Sequence, residues 1–245
     1  MKSWPNPFQI DGFLLVDKPV GMTSHDVVNR VRKVFQIEKA GHGGTLDPNV
    51  SGLLVILLGK ATKYFDSMLA KDKRYVGKIL LGTETNTQDS EGEIVAQRPY
   101  DAVTREDVEK ALRNFRGDIF QTPPMVSAVR VNGCRLFHKA RMGEDVERKQ
   151  RFVHVYKLEI TEWTPPLFSF EILCTKGTYV RTIAHDLGQL LGCGACLQEL
   201  RRTQSGPFTT DEAVSYTTLG QWTQSQLQEH VIPIPAALDR LRDCL

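Results

Sequence analysis

No stretch of the 245 residues approaches the run of about 18 apolar residues that a membrane helix needs. The first residues, Met1 to Phe13, carry Pro5, Pro7 and Asp11 and lack the apolar core of a signal peptide. The chain therefore reads as a cytoplasmic protein. Five cysteines, an odd number in so long a chain, argue against a secreted disulfide framework. Charge of one sign is also scarce: the formal net charge is +2, so a nucleic-acid partner has to be argued from where charges cluster. Known catalytic signatures are missing too. Gly59-Lys60 lacks the glycine and the Ser or Thr that a phosphate-binding loop requires, since Leu54 and Ala61 stand there. No GxSxG elbow is present to carry acyl transfer. Cys193-Gly194-Ala195-Cys196 has neither a second pair nor a histidine at zinc spacing, and reads as small buried residues at a helix exit. The six histidines do not pair at ligand spacings, so no metal is inferred.

What is present is a core-forming chain, 41% apolar, in which strands and helices mix without a regular βαβ rhythm. Phe13 to Val16 reads as a buried strand ended by Asp17-Lys18-Pro19. Ser24 can cap a helix with Val27, Val28, Val31 and Val34 on its apolar face. Leu53 to Leu58 and Tyr75 to Leu81 are further strands, and polar Thr83 to Glu93 is a turn. Thr104 with Asp107 forms a capping box before a helix that Gly117 stops. Val126 to Val131 with Asn132-Gly133 reads as a strand entering a hairpin. Phe152 to Ile160 and Phe168 to Cys174 alternate as strands. Thr178 to Leu191 is helical, with Ile183, Leu187, Leu190 and Leu191 as its stripe. From Asp211 onward, helices are expected to be broken by Pro233 and Pro235. The pattern predicts an α+β fold with a mixed, mostly antiparallel sheet.

Three segments carry candidate chemistry. In Gly41-His42-Gly43-Gly44-Thr45-Leu46-Asp47-Pro48, glycines permit close backbone approach. The Asp47 carboxylate could act as nucleophile or base there; the ordinary account of an Asp-Pro pair is an Asx turn. Lys73-Arg74-Tyr75 sets an aromatic beside two cations, which suits stacking on a base near phosphates, or is a plain strand tyrosine. Lys176-Gly177-Thr178-Tyr179-Val180-Arg181-Thr182 places an aromatic and a guanidinium at a helix start, where Arg181 could hold a carboxylate or lie on the surface. Basic clusters at Lys71 to Arg74, Arg148 to Arg151 and Arg201-Arg202 could reach phosphates, although each alone reads as a solvated face.

Together these segments resemble the bacterial tRNA pseudouridine-55 synthases of the TruB family. Gly12 to Pro19 with Gly21-Met22-Thr23-Ser24 resembles the family's opening, Gly41 to Pro48 its catalytic loop, and Asp72-Lys73-Arg74-Tyr75 its stacking strand. Gly82, Thr85, Thr87, Asp89 and Gly92 resemble its spaced polar turn, and Lys176 to Thr182 with Leu200-Arg201-Arg202 its later motifs. The resemblance implies the pseudouridine synthase fold with a central RNA-binding cleft. It implies Asp47 as catalytic aspartate, Tyr75 stacking on a flipped uracil and Arg181 pairing with Asp47. His42 would enter the RNA where the uridine left, and Tyr179 and Leu200 would line the uracil pocket. Members often have Thr or Ala in place of Gly43, a change read as silent. Isomerisation involves neither redox change nor hydrolysis, so no cofactor is required.

Many members also carry a PUA domain, for which too few residues follow Asp211. The expected organisation is a catalytic domain over 1–210 and a short C-terminal helical extension over 211–245. The expected enzyme is a monomer that engages the T-arm of tRNA rather than the acceptor arm, without guide RNA. A non-catalytic tRNA-binding folding helper is the competing reading; it would use the same stacking and basic residues without needing Asp47.

Overall fold

The computed structural model describes residues 7–125, 130–131, 134–135 and 146–243. In chain order these form β1 (Gly12–Lys18), α1 (Ser24–Phe35), β2 (Ala40–His42), β3 (Val50–Leu58), α2 (Phe65–Ala70), β4 (Lys73–Leu81), β5 (Thr83–Thr85) and β6 (Ile94–Gln97). Next come α3 (Arg105–Leu112), β7 (Gly117–Gln121), β8 (Arg130–Val131), β9 (Cys134–Arg135), β10 (Arg151–Thr164), β11 (Leu167–Cys174) and α4 (Val180–Leu191). The chain then runs through β12 (Ala195–Ser205), β13 (Phe208–Thr209), β14 (Val214–Ser215), α5 (Tyr216–Leu219), α6 (Gln224–His230) and α7 (Ile234–Asp243). The fold is α+β with a mostly antiparallel sheet, as the pattern predicted. Among the described residues no helix is long and apolar enough to cross a membrane. Two compact units arise: Met1–Tyr75 with Arg201–Leu245, and Val76–Leu200.

In the first unit, β1 lies antiparallel to β3 from Gly12↔Leu58 to Lys18↔Gly52, β2 adds to β3, and β14 lies parallel to β1. Both faces of β1 and β3 are buried, which is why their sequences are unbroken apolar runs rather than alternating ones. Phe13, Leu15, Leu53, Val55 and Leu57 pack with Met68, Phe208, Ala237 and Leu241 into one cluster. The end of the chain is stitched to the sheet: Phe13 and Ile232 exchange backbone hydrogen bonds of 2.9 and 2.8 Å. Pro235 does not break α7. It sits in that helix's first turn, where a missing N–H has no partner to lose. The cap of α1 is also shifted from expectation: Thr23 is the N-cap, in a reciprocal box with Asp26. Ser24 is thereby released for a different task, described below.

In the second unit, β10 pairs antiparallel with both β11 and β7. Phe168, Phe170, Ile172 and Cys174 face inward along β11 as their alternation requires. On β10 the phase changes between Val155 and Lys157, so Val153, Val155 and Leu158 are all buried. Helix α3 carries the expected Thr104–Asp107 box. Of the predicted stripe on α4, Ile183 and Leu187 are buried, whereas Leu190 is 57% exposed. Val180, Ala184 and Gly188 complete the buried face instead, because the chain doubles back so tightly that a Cβ on Gly188 would lie 2.0 Å from the Ala195 nitrogen. The expected hairpin is present as β8 pairing β9, with Val126 to Val129 and Asn132-Gly133 outside the described residues.

Candidate active site

The loop that carries Asp47 is held through its backbone at several points. The Ser24 hydroxyl accepts from the Leu46 N–H at 2.8 Å and donates to the Leu46 carbonyl at 3.0 Å. One residue earlier, the loop is gripped by Arg202. This guanidinium, 2% exposed, donates from Nε to the Leu53 carbonyl at 2.8 Å. Its terminal nitrogens donate to the carbonyls of Gly44 at 3.1 Å and Thr45 at 3.4 Å. It is also hydrogen-bonded to the side chain of Tyr75, which offsets part of the burial cost of its charge. Gly52 has to be glycine for this packing, since its φ is +103° and a Cβ would lie 2.2 Å from the Arg202 carbonyl oxygen. Gly43 is likewise not silent: a Cβ there would come 2.7 Å from the Met68 Cβ, so a larger residue needs a different neighbour in α2.

On the other side of the loop, the fully buried Lys18 donates to the carbonyls of Pro19 at 2.8 Å, Met22 at 2.9 Å and Pro48 at 3.4 Å. The Gly21 N–H adds a 2.8 Å bond to the Pro48 carbonyl, and the Asp47 carbonyl closes the turn by accepting from Val50 at 3.1 Å. Burial pushes the Lys18 ammonium down to about 8, against the pull of the Asp47 charge and with the Arg202 charge adding to the fall. Below that pH the ammonium is charged in both folded and unfolded chains and its burial is a cost. As pH rises from about 8 toward 10.5 the folded chain releases its proton first, and that cost is relieved. The neutral amine has only two N–H donors for three carbonyls. The alkaline limb of kcat/KM is therefore expected to show an apparent pKa of about 8, and to be absent in Lys18→Met. A wild-type profile flat through that range would contradict this.

His42, on β2, is half-buried; burial pushes its imidazole below the ordinary value, with the charges of Arg202 and His25 adding to the shift. It is neutral at neutral pH. Asp47, His42 and Tyr75 thus share the first unit, with Arg202 bonded to both the loop and Tyr75.

Arg181, Tyr179 and Leu200 belong to the second unit. Tyr179 is the N-cap residue of α4, and its main chain is clasped by the Gln121 carboxamide: N–H to Oε1 at 2.9 Å, and Nε2 to the carbonyl at 3.2 Å. Leu200 is half-buried on β12. Arg181, 6% exposed, makes an ion pair of 3.2 Å with Asp89, itself 5% exposed. Asp89 also accepts from the Thr87 hydroxyl at 2.6 Å and the Glu91 N–H at 3.2 Å. Replacing Arg181 by Lys keeps the charge and loses the planar fork. Its single-turnover rate is expected to fall about tenfold or more, with a loss of roughly 1–3 kcal/mol in stability from the poorly satisfied Asp89. A variant with wild-type rate would exclude Arg181 from the site.

The cations are more occupied than their sequence clusters suggest. Lys73 is buried and donates to the carbonyls of Leu69 and Lys71, at the end of α2. Arg201 makes a two-pronged pair with Asp17, at 2.8 and 2.7 Å. Lys73 and Arg202 are thus internal, whereas the Arg201 side chain is 38% exposed beside its partner Asp17. The thiol of Cys196 is pushed up to about 11 by burial and the Asp89 charge, so it is not a thiolate at neutral pH.

Residues 32–180 match the model of the TruB family pseudouridylate synthase N-terminal domain, and residues 181–239 match that of the tRNA pseudouridylate synthase B C-terminal domain. The chain belongs to the TruB family of pseudouridine synthases. A TruB relative from Opitutus terrae, tRNA pseudouridine synthase B, is 45% identical over 92% of this chain and 94% of its own length. The tRNA pseudouridine synthase B of Geobacillus kaustophilus is 44% identical over 95% of this chain and 84% of its own. Among solved structures, a chain of a Cbf5-Nop10-Gar1 complex superposes with a TM-score of 0.74 at 31% identity, over 94% of this chain and 62% of that one. This TruB chain is accordingly an isomerase with the pseudouridine synthase fold, converting uridine to pseudouridine in tRNA.

Proposed function

We propose that the reaction takes place at position 55 in the T-loop of tRNA, with Asp47 as the catalytic carboxylate. The observation that carries this reading is the fixation of the Asp47 loop by three buried groups, Ser24, Lys18 and Arg202, acting on main-chain atoms. That arrangement fixes the main chain that carries the carboxylate, as covalent or acid–base chemistry requires.

The isomerisation breaks the bond from ribose C1′ to N1, turns the base, and joins C1′ to C5; the hydrogen of C5 leaves to solvent. A base in a folded loop has to be flipped out, at a cost of a few kcal/mol. Stacking on Tyr75, at roughly 1–3 kcal/mol per base, and filling of the vacated gap by the neutral His42 ring offset that cost. Tyr179 and Leu200 wall the pocket that keeps the detached uracil from leaving. The TruB resemblance gives Arg181 the role of pairing with the catalytic carboxylate, a role its planar fork suits. The enzyme works as a cytoplasmic monomer on the T-arm, with no guide RNA. The organisation is a catalytic domain over 1–210 with a helical extension over 211–245.

The test is tritium release from tRNA carrying 5-tritiated uridine, using purified protein and no added RNA. Release is expected, and is expected to vanish when uridine 55 is replaced by cytidine. Undiminished release from the cytidine substrate would refute the position. Absence of release from either would favour the tRNA-folding helper.

A further inference from the structure

We infer that the exposed face of the β7–β10 ladder is a stacking platform for tRNA bases other than the reacting uridine. The register sets Phe152 opposite Phe120 and His154 opposite Asp118. Val153 and Val155, the residues between, point into the core, so Phe152, His154 and Tyr156 are turned outward together. Phe120 is 68% exposed, Phe152 60% and Tyr156 53%. The rings touch one another: Phe120 and Phe152 meet edge to face with centroids 5.7 Å apart, and His154 and Tyr156 lie 4.5 Å apart. Single exposed aromatics are ordinary. Four in one contiguous row on a sheet face form a surface with π faces and little else to offer.

The charges around the row fit a polyanion. Arg151 and Lys149 are exposed at its start. Lys176 is exposed beyond Thr175, whose hydroxyl accepts from the His154 N–H at 2.8 Å. The carboxylate on the row itself, Asp118, is bound to His154 at 2.6 Å. Aromatic faces for bases flanked by cations for phosphates are what an unpaired RNA strand binds. The row is also continuous with the segment assigned to the uracil pocket, because Gln121, next after Phe120, is the residue that clasps Tyr179. A purely hydrophobic partner would gain nothing from the cations.

The experiment compares the full chain with three double variants: Phe120→Ala with Phe152→Ala, both to Leu, and both to Tyr. Steady-state kinetics on full tRNA are read beside far-UV circular dichroism and melting curves. The Ala pair is expected to raise KM about tenfold or more with kcat unchanged, given what base stacking contributes. The Leu pair keeps apolar bulk without a π face and is expected to follow the Ala pair, while the Tyr pair stays near wild type. An unchanged KM in the Ala pair overturns the inference. So does a Leu pair indistinguishable from wild type, which marks a hydrophobic contact. A concentration-dependent dimer of the wild-type chain, dissolved by the Ala pair, overturns it in favour of self-association.

Discussion

Asp47→Asn is expected to lower tritium release from tRNA by about 10⁴-fold or more, with tRNA binding within about twofold of wild type. The asparagine keeps the shape of the side chain and removes only its charge and basicity. Several contacts that position the loop run to main-chain atoms: Ser24 to Leu46, Lys18 to Pro48, Arg202 to Gly44 and Thr45, Val50 to Asp47. Their donors and acceptors all remain in the variant, and the binding measurement separates lost chemistry from a displaced loop. A second signature follows from Lys18. The Asp47 charge pulls its pKa upward against burial, so in the variant the Lys18 ammonium is expected to fall further below about 8. Nitrogen-detected NMR of the lysine would follow that shift without needing turnover. Activity within tenfold of wild type, in protein that binds tRNA normally, would remove Asp47 from the mechanism.

The strands of this fold were legible where local pattern and burial agree. Phe13 to Val16 and Leu53 to Leu58 are apolar throughout because both their faces are covered, and β11 alternates because successive residues face opposite sides. The long strand β12 was not legible. Its residues, Ala195 to Ser205, mix cysteine, glutamine, glutamate and two arginines, and its inward arginine spends its charge on carbonyls supplied by distant segments. The fraying of the α4 stripe at Leu190 was equally hidden, since the limit is set by a turn that closes over Gly188.

The candidate site was legible in its motifs and hidden in its supports. Asp47, Tyr75 and Arg181 stand out because glycine, aromatic and cationic neighbours mark them. Ser24 looked like a helix cap, but Thr23 fills that role and frees the Ser24 hydroxyl for Leu46. Lys18 and Asp89 sit in recognisable motifs, yet their tasks depend on partners 30 and 92 positions away. Composition cannot show whether a lysine or arginine is outside facing phosphate or inside facing a carbonyl. Lys73 and Arg202 are inside.

That distinction is sharpest at two adjacent arginines of β12, and it gives the second large effect. Successive strand residues face opposite sides, and here one side is water and the other is the Asp47 loop. Arg201, its side chain 38% exposed, pairs with Asp17, 30% exposed. Arg201→Met is expected to cost about 0–1 kcal/mol, the usual range for a solvent-screened pair. Arg202→Met is expected to cost about 3–5 kcal/mol, since several buried acceptors each lose a charge-assisted hydrogen bond worth roughly 1–3 kcal/mol. The substitution leaves the carbonyls of Gly44, Thr45 and Leu53 without this donor and takes a hydrogen bond from Tyr75. For a chain of this size such a loss lowers Tm by roughly 10 °C. Arg202→Lys keeps the charge, but a single ammonium cannot span carbonyls on both β3 and the loop, so it is expected to recover part of the stability and little of the rate. Thermal melts with single-turnover rates on all three variants decide the matter. If Arg201→Met and Arg202→Met melt together, or if Arg202→Lys isomerises uridine at the wild-type rate, then Arg202 is not what holds the Asp47 loop in place.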